Sequence, residues 1–132
     1  MPFVLDASIT AAWFLDEADE QASVAWETLR ADSASVPSIW WHEIRNALLM
    51  AERRKRLSRT DVDEAWARLR LLRIKIDEQP KDDETRSLAR RHALTFYGAA
   101  YLELALRLHY PLATAGRALG KAARSEHVKL IG

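Results

Sequence analysis

Two hydrophobic periods alternate along this chain. Short β-rich runs are separated by stretches whose apolar residues recur three and four positions apart. "PFVLD" (2–6) predicts a first strand, and "SVPS" (35–38), closed by Pro37, a second. "RIKID" (73–77) reads either as a third strand or as a helix end. "PLATA" (111–115) and "VKLI" (128–131) complete the set. Between them fall helices. "ITAAWFLD" takes Ser8 as its cap, and "EQASVAWETLRAD" aligns Ala22, Ala25, Trp26 and Leu29 on one face. "IWWHEIRNALLMAERRKR", capped by Ser38, carries Trp40, Ile44, Leu48 and Ala51 as a stripe. A further helix capped by Thr60 or Asp61 holds Val62, Ala65, Trp66 and Leu69. "DDETRSLARRHAL" is acidic at its start and basic toward its end, as the helix dipole favours. "AAYLELALRL" is apolar on most faces and is placed centrally, while "RALGKAARSE" has Gly120 as a weak point. Strands alternating with helices predict an α/β fold with a mainly parallel central sheet covered on both faces.

Composition narrows this picture without changing it. At 132 residues, 48% hydrophobic and 30% charged, the sequence suits a single domain spanning 1–132 with a core that needs no staples. It has no cysteine, hence no disulfide framework and no thiolate metal site, which fits a reducing cytoplasmic setting. The first twenty residues lack a basic region and meet Asp6 early, so neither a signal peptide nor a membrane span is expected. A net charge of +1 gives no whole-molecule attraction to nucleic acid, so any such binding needs a local patch.

In an open parallel sheet, ligands gather beyond the carboxyl ends of the strands. Asp6 stands at one such end and Thr114 to Gly116 at another. Glu43 lies in the first turns of a helix following a strand, with Asn46 three residues on. Gly98 opens the buried helix. Each has a plain explanation: an aspartate before "AS" is commonly a turn or cap residue, and both glycines suit turns. Glu43 is harder to dismiss, because a carboxylate beside a core stripe must find a partner. The four histidines lack metal-ligand spacing, and His42 diverges from Glu43 by about 100° around the helix.

Taken together, "FVLDAS", "WHEIRNAL", "YGAAYLELAL" and "PLATAGRALGKAA" resemble, in order and spacing, the PIN-domain ribonucleases of the VapC toxin type. The resemblance covers nearly the whole chain. It implies a three-layer α/β/α PIN-like domain that cleaves RNA with Mg²⁺ or Mn²⁺ held by a cluster of acids. It also implies a homodimer neutralised by a small VapB-type antitoxin, through which alone DNA would be contacted. Asp6 matches the first metal-binding aspartate and Glu43 the glutamate. The third and fourth acids are aspartates in the family pattern, and here Gly98 and Gly116 stand in their places. Ser8, Asn46 and Thr114 are candidates to hydrogen-bond metal-bound water.

The loss of two carboxylates should weaken the site. Losing even one supporting partner commonly costs about 10–100-fold in affinity or activity, so weak or absent activity is expected. No other acid substitutes: Glu103 lies roughly 140° around the helix from Gly98, and Asp16 and Glu17 lie at the far end of the first helix. The basic run "ERRKR" (52–56) is ordinarily a solvated helix face. Placed beside the crevice, Arg53, Arg54 and Lys55 would hold RNA phosphates. Trp13, Trp40 and Trp41 exceed what such a core requires, and one or two would line a groove for an antitoxin helix. An antitoxin arginine entering the acidic pocket would find less counter-charge here. A response-regulator receiver needs paired acids after the first strand and a phosphorylatable aspartate ending the third; this chain shows "LDAS" and then "ERRKR", and that class is rejected. A non-catalytic module binding antitoxin or RNA on the same fold remains the alternative.

Overall fold

The computed structural model describes residues 1–17 and 19–132. Four strands form one sheet: β1 (Phe3–Leu5), β2 (Ala34–Pro37), β3 (Ile74–Asp77) and β4 (Leu112–Ala113). Their order is β3-β2-β1-β4 and every pairing is parallel. Phe3, Val4 and Leu5 are fully buried, as a central parallel strand covered on both faces must be. The predicted final strand contracts to a single bridge between Leu112 and Leu130, and β4 itself keeps only two residues of "PLATA".

Among the described residues seven helices flank the sheet: α1 (Ala7–Phe14), α2 (Glu20–Ala31), α3 (Ile39–Arg53), α4 (Arg59–Leu69), α5 (Asp82–His92), α6 (Phe96–Leu108) and α7 (Arg117–Ser125). One group is built on α1, which packs on α2 and α3, with α3 on α4. The other is built on α6, which lies against β1 and β2 and packs on α5 and α7. As expected from its sequence, α6 is the buried helix, with Tyr101, Leu102, Leu104 and Ala105 at most 1% exposed. Among the described residues no helix is long and apolar enough to cross a membrane.

Several local readings need correction. Asp6, not Ser8, is the N-cap residue of α1, and it caps through its backbone carbonyl, which accepts from Ile9 N at 3.1 Å. The cap of α4 is Ser58, in a reciprocal box with Asp61, rather than Thr60 or Asp61 itself. The box wins because it satisfies two orphan N–H groups at once. Ser38 occupies the cap position of α3 but makes no side-chain capping bond. Trp26 leaves its predicted stripe and is 39% exposed, standing edge-on to Trp13 with ring centroids 5.2 Å apart.

The strand order fixes where a ligand belongs. From β1 the chain passes to β2 and β3 on one side, and then returns through α5 and α6 to β4 on the other. The order therefore reverses between β1 and β4, and the crevice beyond their carboxyl ends is the switch point at which α/β sheets bind ligands.

Candidate metal centre

Asp6 follows β1 directly into that crevice, its N–H donating to Ala113 O of β4 at 3.0 Å. Because its backbone does the capping, its carboxylate is left for other partners. The Ser8 and Thr114 hydroxyls each donate to Oδ2 at 2.7 Å. Both hydroxyls are themselves aimed by the loop after β4: Ala115 N donates to Ser8 Oγ at 3.1 Å and Gly116 N to Thr114 Oγ1 at 3.0 Å. Oδ2 is thus fixed from two sides, and Oδ1 has no partner among the described residues.

Glu43 reaches the same edge from α3. Its Oε1 accepts from the Tyr101 hydroxyl of α6 at 2.6 Å, so the two helix groups meet above the sheet. Burial pushes the Glu43 carboxyl above its ordinary range; the Tyr101 bond opposes this, and the Asp6 charge adds to it. The Tyr101 phenol is pushed far above its own range by burial, then by the Asp6 charge and by its bond and charge contact with Glu43. Asp6, Glu43 and Tyr101 therefore form one electrostatically coupled group. Tyr101 escaped the sequence reading because it sits in an apolar run. The signal was nonetheless there, since a tyrosine in a buried helix must find a partner for its hydroxyl.

The glycines frame this group. Gly98 is the third residue of α6, its N–H donating to the Thr95 cap hydroxyl at 3.0 Å, one turn before Tyr101. Gly116 is the N-cap residue of α7, with φ −76° and ψ 127°. Neither adopts a left-handed conformation, so neither backbone demands glycine. A Cβ at Gly98 would lie 3.4 Å from Thr95 Oγ1, and one at Gly116 3.4 Å from Thr114 Oγ1; both are ordinary contacts. The third position and the N-cap are also places where helix chemistry favours an acid. The fold leaves room for a Cβ at both positions.

Other candidates fall elsewhere. Asn46 is exposed on α3. Arg53, Arg54 and Lys55 are exposed at the opposite end of α3, some ten residues or about 15 Å along the axis from Glu43, so the structure does not bring them to the crevice. Glu103 points away, as expected: it is 4% exposed and bonded to Arg107 Nε at 2.7 Å, and Arg107 also bridges to Asp77 at 2.7 Å. Glu17 pairs with Arg56 at 3.2 Å. A groove of about 660 Å³ lies away from the carboxylates, past the end of α1, walled by Trp13, Trp26, Leu71 and Leu72 and rimmed by Asp16, Glu17, Asp19 and Glu27.

Among the described residues no three His, Cys, Asp or Glu side chains are grouped to hold a metal ion. Asp6 and Glu43 are the two coupled carboxylates, each with one oxygen that has no hydrogen bond among the described residues. That set fits a single weakly held Mg²⁺ or Mn²⁺, since Mg²⁺ keeps several waters and is often bound by only one or two carboxylates.

A parallel sheet with paired carboxylates at its switch point defines a three-layer α/β protein of the kind that handles charged ligands at strand ends. The chain belongs to the PIN-domain family, whose model matches residues 3–125. This is a nuclease fold family whose members typically use divalent metals. Among solved structures, the chain is similar to the crystal structure of PAE2754 from Pyrobaculum aerophilum, at 25% identity and a TM-score of 0.69, covering 92% of this chain and 84% of that one. No curated protein matches.

Proposed function

We propose that this protein is a VapC-like toxin component of a toxin–antitoxin pair: a Mg²⁺- or Mn²⁺-dependent endoribonuclease scaffold whose own activity is weak or lost. One observation carries the reading. Asp6 and Glu43 converge at the switch point, while Gly98 and Gly116 stand at the same strand-end edge in ordinary backbone conformations with room for a Cβ.

Asp6 and Glu43 would hold the cation, Ser8 and Thr114 fixing one carboxylate and Tyr101 the other. A bound divalent ion supplies an activated water and neutralises charge developing on the phosphoryl oxygens. The protein's share is to present two aimed carboxylates in a partly buried crevice. Aspartates at 98 and 116 would add charge and orient waters around the ion. Without them the site attracts a cation less and stabilises less of the charge that develops during cleavage.

The tryptophan groove supports the partner half of the proposal. Its apolar walls and acidic rim suit a basic amphipathic helix, as a VapB-type antitoxin would supply. The same groove also favours the second reading, a non-catalytic module that only binds its antitoxin, because no three-ligand cluster is present among the described residues. Cleavage of labelled RNA in Mn²⁺ by the Gly98→Asp/Gly116→Asp double variant separates the two. Gain of cleavage over the present sequence, abolished by adding Asp6→Ala, supports the enzyme scaffold. No gain refutes it.

A further inference from the structure

A cavity of about 190 Å³ lies between the starts of α3 and α6. Its walls are Ile39 of α3 and Phe96 and Tyr97 of α6; its polar lining is Ser38, Asp77, Asp82 and Glu103. Phe96 is 51% and Tyr97 58% exposed, adjacent aromatic rings that the core leaves in solvent. Both precede Gly98 directly. Tyr97 stands four residues before Tyr101, on the same face of α6, and Tyr101 touches Glu43. Pro37 and Asp77, the last residues of β2 and β3, also line the cavity, so it opens on the carboxyl edge of the sheet, where Asp6 follows β1.

We infer that this cavity is a base subsite, taking one unpaired nucleobase of a single-stranded RNA whose backbone crosses the Asp6–Glu43 pair. The inference rests on the ribonuclease reading above. Three features select this occupant. The volume is below the roughly 300–1,000 Å³ of sites for larger ligands, so it admits a single ring system and no helix. The exposed aromatic faces provide stacking, the common mode by which unpaired RNA bases are gripped. The polar lining is three carboxylates and the Ser38 hydroxyl, with no cation among the lining residues to hold a phosphate, so a base rather than the backbone enters. Asp77 and Glu103 are held in place by Arg107, whose guanidinium bonds both, while Asp82 is exposed at the rim. Asp82, the lining carboxylate that Arg107 does not engage, is the acceptor that favours bases bearing an exocyclic amino group, cytosine, adenine and guanine, over uracil.

Fluorescence anisotropy with labelled 12-nucleotide single strands at low salt tests this without requiring turnover. Oligo-rC is expected to bind the unmodified protein more tightly than oligo-rU. Tyr97→Ala is expected to weaken oligo-rC binding by about tenfold, within the range found for removing one stacking aromatic, and Tyr97→Phe to retain it. An oligonucleotide made abasic throughout should bind the parent and Tyr97→Ala alike. RNA binding that ignores Tyr97→Ala, or a loss that persists with the abasic strand, overturns the subsite alone. Absence of RNA binding by the unmodified protein overturns the subsite and the ribonuclease reading together. A loss accompanied by dissociation of a dimer, read by analytical ultracentrifugation, assigns the aromatic pair to contact with a second copy and also overturns the subsite.

Discussion

Replacing Tyr101 with phenylalanine removes one hydroxyl from the carboxylate pair and leaves the ring that fills the core beneath it. The bond lost is a short one, 2.6 Å from a neutral phenol to Glu43 Oε1. Hydrogen bonds to charged groups contribute about 1.5–3 kcal/mol, against about 0.5–1.5 for neutral pairs. Glu43 is only half-buried, so water can replace the lost donor in part, and the lower end applies: about 1.5 kcal/mol at neutral pH. For a chain of this size that corresponds to a fall in Tm of roughly 6 °C. The pH dependence gives the sharper signature. Glu43 titrates above its unfolded value because burial disfavours its charge. Between the two values the folded state binds more protons than the unfolded, so stability falls as pH rises through that window. Removing the phenol takes away what opposes burial, moves the folded value higher still and widens the window. Scanning calorimetry of both proteins from pH 4 to 8 should show the gap between them shrinking toward the neutral-pair value on the acid side. A Tm difference under a degree at neutral pH, or one that does not narrow in acid, would refute the idea that Tyr101 holds an ionised Glu43.

Three more expectations follow from particular contacts. Arg107→Met strands Glu103 and Asp77, which are 4% and 15% exposed, and should cost about 3 kcal/mol, read as a lower urea midpoint at pH 7. Asp77 titrates below its ordinary value mainly because of its bonds from Arg107, so in the parent that stabilisation is present above the unfolded value and is lost as pH falls through the folded one. The variant should lack this acid-side decline. Gly120→Ala should stabilise by about 0.5–1 kcal/mol, seen as a raised Tm, because the position is inside α7 and an added Cβ would meet Leu130 Cδ1 at 3.8 Å. Charge reversal at Arg53 and Arg54 should leave RNA affinity within about twofold at low salt, since both lie at the end of α3 remote from Glu43.

What the sequence made legible was periodic. The buried runs of β1 and α6, the charge gradient of α5 and the alternation of strands with helices gave the parallel sheet, and Asp6 and Glu43 were visible as acids beside apolar segments. Contacts that join distant segments by side-chain chemistry stayed hidden. Nothing local in "RIKID" or "LELALRL" announces that Asp77, Glu103 and Arg107 form one network. Ser8 looked like a cap because its place before an apolar helix is the usual one. Only the return of β4 beside β1 shows that its hydroxyl is needed by Asp6 and the Ala115 N–H. Trp26 kept helical spacing with its neighbours yet stands out of the core, because periodicity assigns a face and not a depth. From the family resemblance, aspartates were expected where Gly98 and Gly116 stand. That their backbones do not require glycine could be learned only from their dihedral angles and surroundings.

The account is tested most directly by titrating Mn²⁺ into the parent protein and the Gly98→Asp/Gly116→Asp variant in a calorimeter. It predicts one site in the variant, at least tenfold tighter than in the parent and lost when Asp6→Ala is added. Equal binding in the two proteins, or tight binding that survives Asp6→Ala, would contradict it.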